Sequence, residues 1–140
     1  MFRIKKEQME FFADKTKRKF VAKMAAYLRR DFAGRVTELD RPSMGGLEPW
    51  VTRVVDKAIG YDIKTEPETA QLMLLLLLLG VDADERLPWV KQVLSTRDLY
   101  AIGKVRRLVR LAREHGVPAL DDVLVYPEMS DRRNELQAEA

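Results

Sequence analysis

Residues 70–79 read AQLMLLLLLL, and Gly80 ends the run. A helix that is apolar on every side cannot lie on a surface; other helices have to surround it. The run is far too short to cross a bilayer, which takes about 20 apolar residues. It predicts the central helix of a small soluble domain, and the rest of the chain has to supply its cover. Its start is marked as well. In Thr65-Glu66-Pro67-Glu68, Thr65 is placed to cap the helix and Glu68 to return the bond, a capping box. Pro67 falls in the first turn, where a missing N–H costs nothing. Such a cap contributes about 1 kcal/mol, against roughly 1.5–3 kcal/mol for each fully buried leucine, so burial dominates.

The cover is helical too. A first helix is expected over 5–30. Met9, Phe12, Phe20, Met24, Tyr27 and Leu28 follow one stripe, with Lys15, Lys17, Arg18, Lys19, Lys23 and Arg29 opposite. Ala33-Gly34 is the expected stop, since glycine accepts a left-handed position. Residues 35–46 end in RPSMGG and read as a loop. A second helix starts near Pro49, which suits a first turn. It presents Trp50, Val51, Val54, Val55, Ala58 and Ile59 inward and closes at Gly60.

Beyond the leucine run, residues 81–86 read as a short acidic loop. Leu87-Pro88-Trp89 opens another helix, with Val90, Val93 and Leu94 facing inward. Asp98 is the expected cap of a longer helix reaching about His115. Leu99, Ile102, Val105, Leu108, Val109 and Ala112 form its apolar stripe, and Arg106, Arg107, Arg110 and Arg113 its wet side. Gly116 and Pro118 terminate it. Residues 119–125 read either as one more helical turn or as a packed extended piece. Val123-Leu124-Val125-Tyr126 is the best strand candidate and has no evident partner. The fold class expected is all-α, a compact bundle of about five helices around the Leu-rich helix.

A chain of 140 residues, 46% hydrophobic and 34% charged, fits one globular domain. Its expected extent is 1–126, followed by a polar, flexible tail over 127–140. There are no cysteines and one histidine. Disulfides and thiolate chemistry are excluded, and no transition-metal site or cofactor motif is expected. The first residues carry basic side chains with no apolar stretch behind them, which is not the pattern of a secretory signal. A cytoplasmic, non-membrane protein is the expectation.

The net charge of +3 is unevenly spread. Residues 1–35 hold 11 Lys/Arg against 4 Asp/Glu, while the rest of the chain holds 14 against 18. The basic character belongs to the first helix. Such a face binds phosphates in a sharply salt-dependent way, or meets an acidic protein surface, or is simply solvated beside Asp14 and Glu10. Two features weigh against nucleic acid: no recognition helix of a helix-turn-helix is evident, and the remainder of the chain is acidic. Asp82-Ala83-Asp84-Glu85 offers alternate carboxylates but lacks the further ligands and the glycine of a calcium loop. It reads as a solvated loop beside a helix start. Trp50 and Trp89 each neighbour a proline at a helix start, where tryptophan packs as an end filler or serves as a binding anchor. His115 is placed to meet the end of its helix and has no catalytic companion in sequence.

Two stretches resemble a known family. One runs from Lys6-Glu7-Gln8-Met9 and Phe12 through Arg18, Phe20, Met24, Leu28-Arg29 and Phe32. The other runs from Leu79-Gly80-Val81-Asp82 through Leu87-Pro88-Trp89 to Val93-Leu94. Together they resemble small all-helical bacterial proteins encoded beside the spike, adaptor and toxin genes of type VI secretion systems. The resemblance covers about two thirds of the chain. It departs at Tyr27, where the family often has histidine, and at Ala33, where it often has proline. It implies an accessory or co-chaperone that helps a toxin effector, or its loading adaptor, reach the secretion spike, with no catalytic residues.

The function expected is therefore a non-enzymatic protein-binding accessory. Lys15, Arg18, Lys19, Lys23 and Arg29 are the expected contact residues, and Trp89 the expected apolar anchor. A nucleic-acid-binding regulatory domain and a toxin-neutralising immunity protein are the alternatives. Oligomeric state stays open.

Overall fold

The computed structural model describes residues 14–129. Among these, seven α-helical segments occur and no strand. They are α1 (Asp14–Asp31), α2 (Ala33–Val36), α3 (Glu48–Gly60), α4 (Glu66–Leu79), α5 (Ala83–Arg86), α6 (Pro88–Leu94) and α7 (Ala101–Glu114). Three 3-10 turns, Pro42–Met44, Leu120–Val123 and Pro127–Met129, complete the set. Since α2 and α5 are single turns, the five longer helices are the expected all-α bundle.

The leucine helix is the centre of the domain. α4 packs against α3 on one side and against α7 and the Leu120–Val123 turn on the other. Ala70 and residues 72–76 are all 2% exposed or less. Leu77, Leu78 and Leu79 are only partly covered, so the complete burial implied by the sequence stops one turn before Gly80. α1 reaches the core through α3, and α6 closes the far side against α7. Phe20, Met24 and Leu28 of α1 are buried as their stripe requires, as are Val51, Val54, Val55 and Ala58 of α3.

Several boundaries differ from the expected ones. Residues 5–13 of the expected first helix lie outside the described residues. α1 does not stop at Ala33-Gly34. It breaks at Phe32 (φ −131°), and Ala33 and Gly34 form the next helical turn. The Phe32 and Tyr27 rings meet in a T-shaped contact, with centroids 5.7 Å apart. α3 ends at Gly60 as expected, but Asp62 takes the left-handed position (φ +63°). The Ile63 N–H then donates to Ala58 (2.8 Å) and the Asp62 N–H to Ile59 (3.0 Å), a Schellman closure. α7 begins after Tyr100, not Asp98. Leu99 packs over Gly103, where a Cβ would meet its side chain at 3.3 Å.

The capping box is not formed. Thr65 is the N-cap of α4, but its hydroxyl makes no bond to the helix backbone. It bonds the Glu68 carboxylate side chain to side chain. The strand candidate is also not a strand. Leu120–Val123 is a 3-10 turn, and the Gln71 side-chain amide meets the segment that follows. Nε2 donates to the Val123 carbonyl at 3.1 Å, and Oε1 accepts from the Val125 N–H at 2.8 Å. The first three residues of the expected tail are described and ordered into a turn. Pro127–Met129 is a 3-10 turn, and the Met129 carbonyl accepts a bond from Arg113.

The acidic loop is a correction of chemistry as well as of structure. Residues 83–86 are α5, and Asp84 is buried rather than solvated. Its carboxylate receives Lys57 Nζ at 2.5 Å and the Tyr61 hydroxyl at 2.6 Å, while Lys57 also donates to the Val81 carbonyl at 2.9 Å. Nearby, buried Lys104 donates to the carbonyls of Tyr61 (2.6 Å) and Leu94 (2.8 Å). These sit at the C-terminal ends of α3 and α6, where helix dipoles favour a cation.

Candidate functional site

The basic face of α1 follows from helical geometry. Residues four apart stand one above another about 6 Å apart along the axis, so Lys15, Lys19 and Lys23 form one row. Phe20, Val21, Met24, Ala25 and Leu28 occupy the opposite, buried side. Arg18 and Ala22 lie on the neighbouring exposed row, and α1 thus presents a cationic crest above an apolar keel.

The crest is divided. Lys23 pairs with Glu66 of α4 at 3.1 Å. Lys17 pairs with Asp56 of α3. Arg29 holds Asp40 by two bonds, 2.8 and 2.9 Å, and also reaches Glu48 at 2.6 Å. Arg30 pairs with Asp31 at 3.1 Å. The Arg29 guanidinium holds the Asp40 carboxyl below its ordinary range, and the hydrogen bonds it donates to Asp40 and Glu48 raise the guanidinium in turn. Of the expected contact residues, Lys23 and Arg29 are therefore struts that tie α1 to α4, to α3 and to the segment after α2. They are not free cations. Lys15, Arg18 and Lys19 are exposed and have no ion pair among the described residues.

Two depressions flank these three. One, of about 390 Å³, is lined by Lys15, Thr16, Lys19, Phe20, Lys23 and Glu66. The other, of about 350 Å³, lies where α1 meets α3 and is lined by Asp14, Lys17, Arg18, Val21, Ala22, Glu48 and Thr52. The crest between them offers cations on both slopes, with carboxylates at the far edges.

Trp89 is not part of this face. It sits in the first turn of α6, packs partly on the core, and stacks on His115 with centroids 4.8 Å apart and planes 12° from parallel. Trp89 therefore joins the start of α6 to the end of α7. Among the described residues, the large hydrophobic side chains left in water are Tyr100 (89% exposed) and Met44 (59%), neither of which the sequence singled out. What sequence reasoning missed was the set of carboxylates that neutralise half the basic face. Asp40, Glu48, Asp56 and Glu66 come from other elements, and helical periodicity carries no signal for that. Lys104 did leave a trace. It stands four residues before Leu108, on the apolar stripe, where a lysine has to find buried acceptors.

Among the described residues, no group of three or more His, Asp or Glu is placed to hold a metal ion. No helix among them is long and apolar enough to cross a membrane. Tyr61 is unsuited to proton transfer near neutrality, because burial, and then its bond to Asp84, push its hydroxyl up to about 12. Neither a family model, nor a curated protein, nor a solved structure matches the chain.

Proposed function

We propose that this chain is a non-enzymatic protein-binding accessory. It acts in the cytoplasm as a co-chaperone or adaptor that helps a toxin effector, or its loading adaptor, reach a type VI secretion spike. The secretion role rests on the family resemblance. The protein-binding role rests on one observation, the division of the α1 crest. Lys17, Lys23, Arg29 and Arg30 are neutralised within the chain, leaving, among the described residues of α1, Lys15, Arg18 and Lys19 in a compact group. Three cations bordered by Asp14, Glu48 and Glu66 make a poor track for a phosphate backbone, whose binding grows with every phosphate neutralised. They suit a protein surface of matched size, where complementary charge steers and orients docking.

The test is affinity capture of the tagged protein from its native cytoplasm, with nuclease, at low and at high salt. The toxin or its adaptor is expected in the nuclease-treated sample at low salt and is expected to fall away at high salt. Recovery of nucleic acid alone would make a nucleic-acid-binding regulator the better reading. Rescue of growth from the toxin by this protein alone, with no effect on export, would make it an immunity protein.

A further inference from the structure

We infer that the edge of α1 carrying Lys15 and Lys19 receives an acidic segment of the protein partner in which two carboxylates stand one helical turn apart. This rests on the protein-binding reading above. Lys15, Lys19 and Lys23 form a ladder at four-residue spacing, with rungs about 6 Å apart along the axis. The third rung shows what the ladder accepts. Glu66, with its side chain 4% exposed, reaches across from the first turn of α4 to Lys23. The other two rungs open on the same depression as Glu66, and no carboxylate among the described residues reaches them. Among the described residues the chain supplies one carboxylate of a three-rung pattern, and two rungs are left for a partner.

Glu66 also sets the direction. It stands at the Lys23 end of the ladder, so the incoming segment runs along Lys19 and Lys15. A peptide can place a neutral residue against the Lys23–Glu66 pair, whereas a continuous polyanion finds no unpaired cation there. The partner is therefore an acidic peptide segment, and helical spacing of its carboxylates matches the helical spacing of the lysines.

Two blocked, alanine-rich peptides serve as probes, each with two glutamates, spaced i,i+4 in one and i,i+2 in the other. The second spacing puts the carboxylates on opposite sides of a helix. Titrations of the full chain are followed by amide NMR at low salt. The expected result is a set of shifts centred on residues 15–23, with the i,i+4 peptide binding about fivefold more tightly, the size of one additional exposed ion pair. Lys15→Gln with Lys19→Gln should abolish the preference, and Arg107→Gln with Arg110→Gln on α7 should preserve it. Equal binding of the two peptides, or shifts spread equally over α7, would overturn the inference. If the lysine pair variant still loses the native partner while the two peptides bind alike, the spacing is wrong and the protein-binding reading stands. If partner capture is also unaffected, both fall.

Discussion

Lys57 Nζ lies 2.5 Å from Asp84 Oδ1, with the two side chains 13% and 7% exposed. This pair fastens α3 to α5, and the Tyr61 hydroxyl completes the carboxylate. Burial alone would raise the Asp84 carboxyl, but the bonds from Lys57 and Tyr61 outweigh it and hold the group below its ordinary range. A carboxyl lowered on folding contributes stability that is complete above its unfolded value of about 3.9 and is lost as pH falls through the folded value. Calorimetry should show the pair's contribution intact at neutral pH and disappearing below about pH 4. Asp84→Ala should cost about 3–5 kcal/mol at neutral pH, because it strands the buried lysine. Its melting temperature should depend less on acid than that of the parent.

Lys104 has the opposite sense. Burial lowers its ammonium, with the charge of Asp62 partly opposing. Between that lowered value and the unfolded value of about 10.4, the unfolded chain binds more protons, so this residue's contribution to stability rises with pH. The rise should be visible as pH climbs towards the unfolded value, up to about pH 10, before unfolded tyrosines ionise. Lys104→Met should lack it, and should lose about 2–4 kcal/mol at neutral pH by leaving the Tyr61 and Leu94 carbonyls unsatisfied. Denaturant melts of the two proteins across that range would read both effects.

Gly80 is a position that side chains rarely tolerate. At φ +101° and ψ 147° the backbone is nearly reserved to glycine. A Cβ there would stand 2.9 Å from Arg86 Nη2 and 3.0 Å from Asp82 Oδ1, and would push Arg86 off the Leu79 carbonyl that it bonds. Gly80→Ala should cost about 1–3 kcal/mol, measured as a lowered denaturation midpoint with an unchanged slope.

Gln71 carries the attachment of the last described segment. Its two bonds to Val123 and Val125 are made in the core, so Gln71→Leu should cost about 2–4 kcal/mol. Limited proteolysis should cut sooner after Ala119 in that variant than in the parent.

The same glutamine shows where the sequence was readable and where it was not. The apolar run had one physical solution, a surrounded helix, and 3.6-residue stripes placed α3, α6 and most of α7. Burial imposes those patterns residue by residue, so they survive into the sequence. Gln71, Asp84 and Lys104 are polar side chains whose partners lie 10 or more positions away. Nothing local marks a glutamine that will bond a distant backbone. The basic crest was legible as a row of cations on α1. Its division was not, because Glu66 and Asp56 reach Lys23 and Lys17 only after α3 and α4 are packed. Thr65 failed for a related reason: the Glu68 carboxylate captured the hydroxyl that should have capped the helix.

The most direct measurement compares two charge reversals for capture of the effector or its adaptor. One is Lys15→Glu, Arg18→Glu and Lys19→Glu together; the other is Arg107→Glu with Arg110→Glu. The triple reversal should keep the helical circular-dichroism signal and melting temperature, since these side chains hold no ion pair among the described residues, and should lose capture at least tenfold. The α7 reversal should capture as the parent does. Undiminished capture by the triple reversal, with its fold intact, would contradict the assignment of this face to a protein partner.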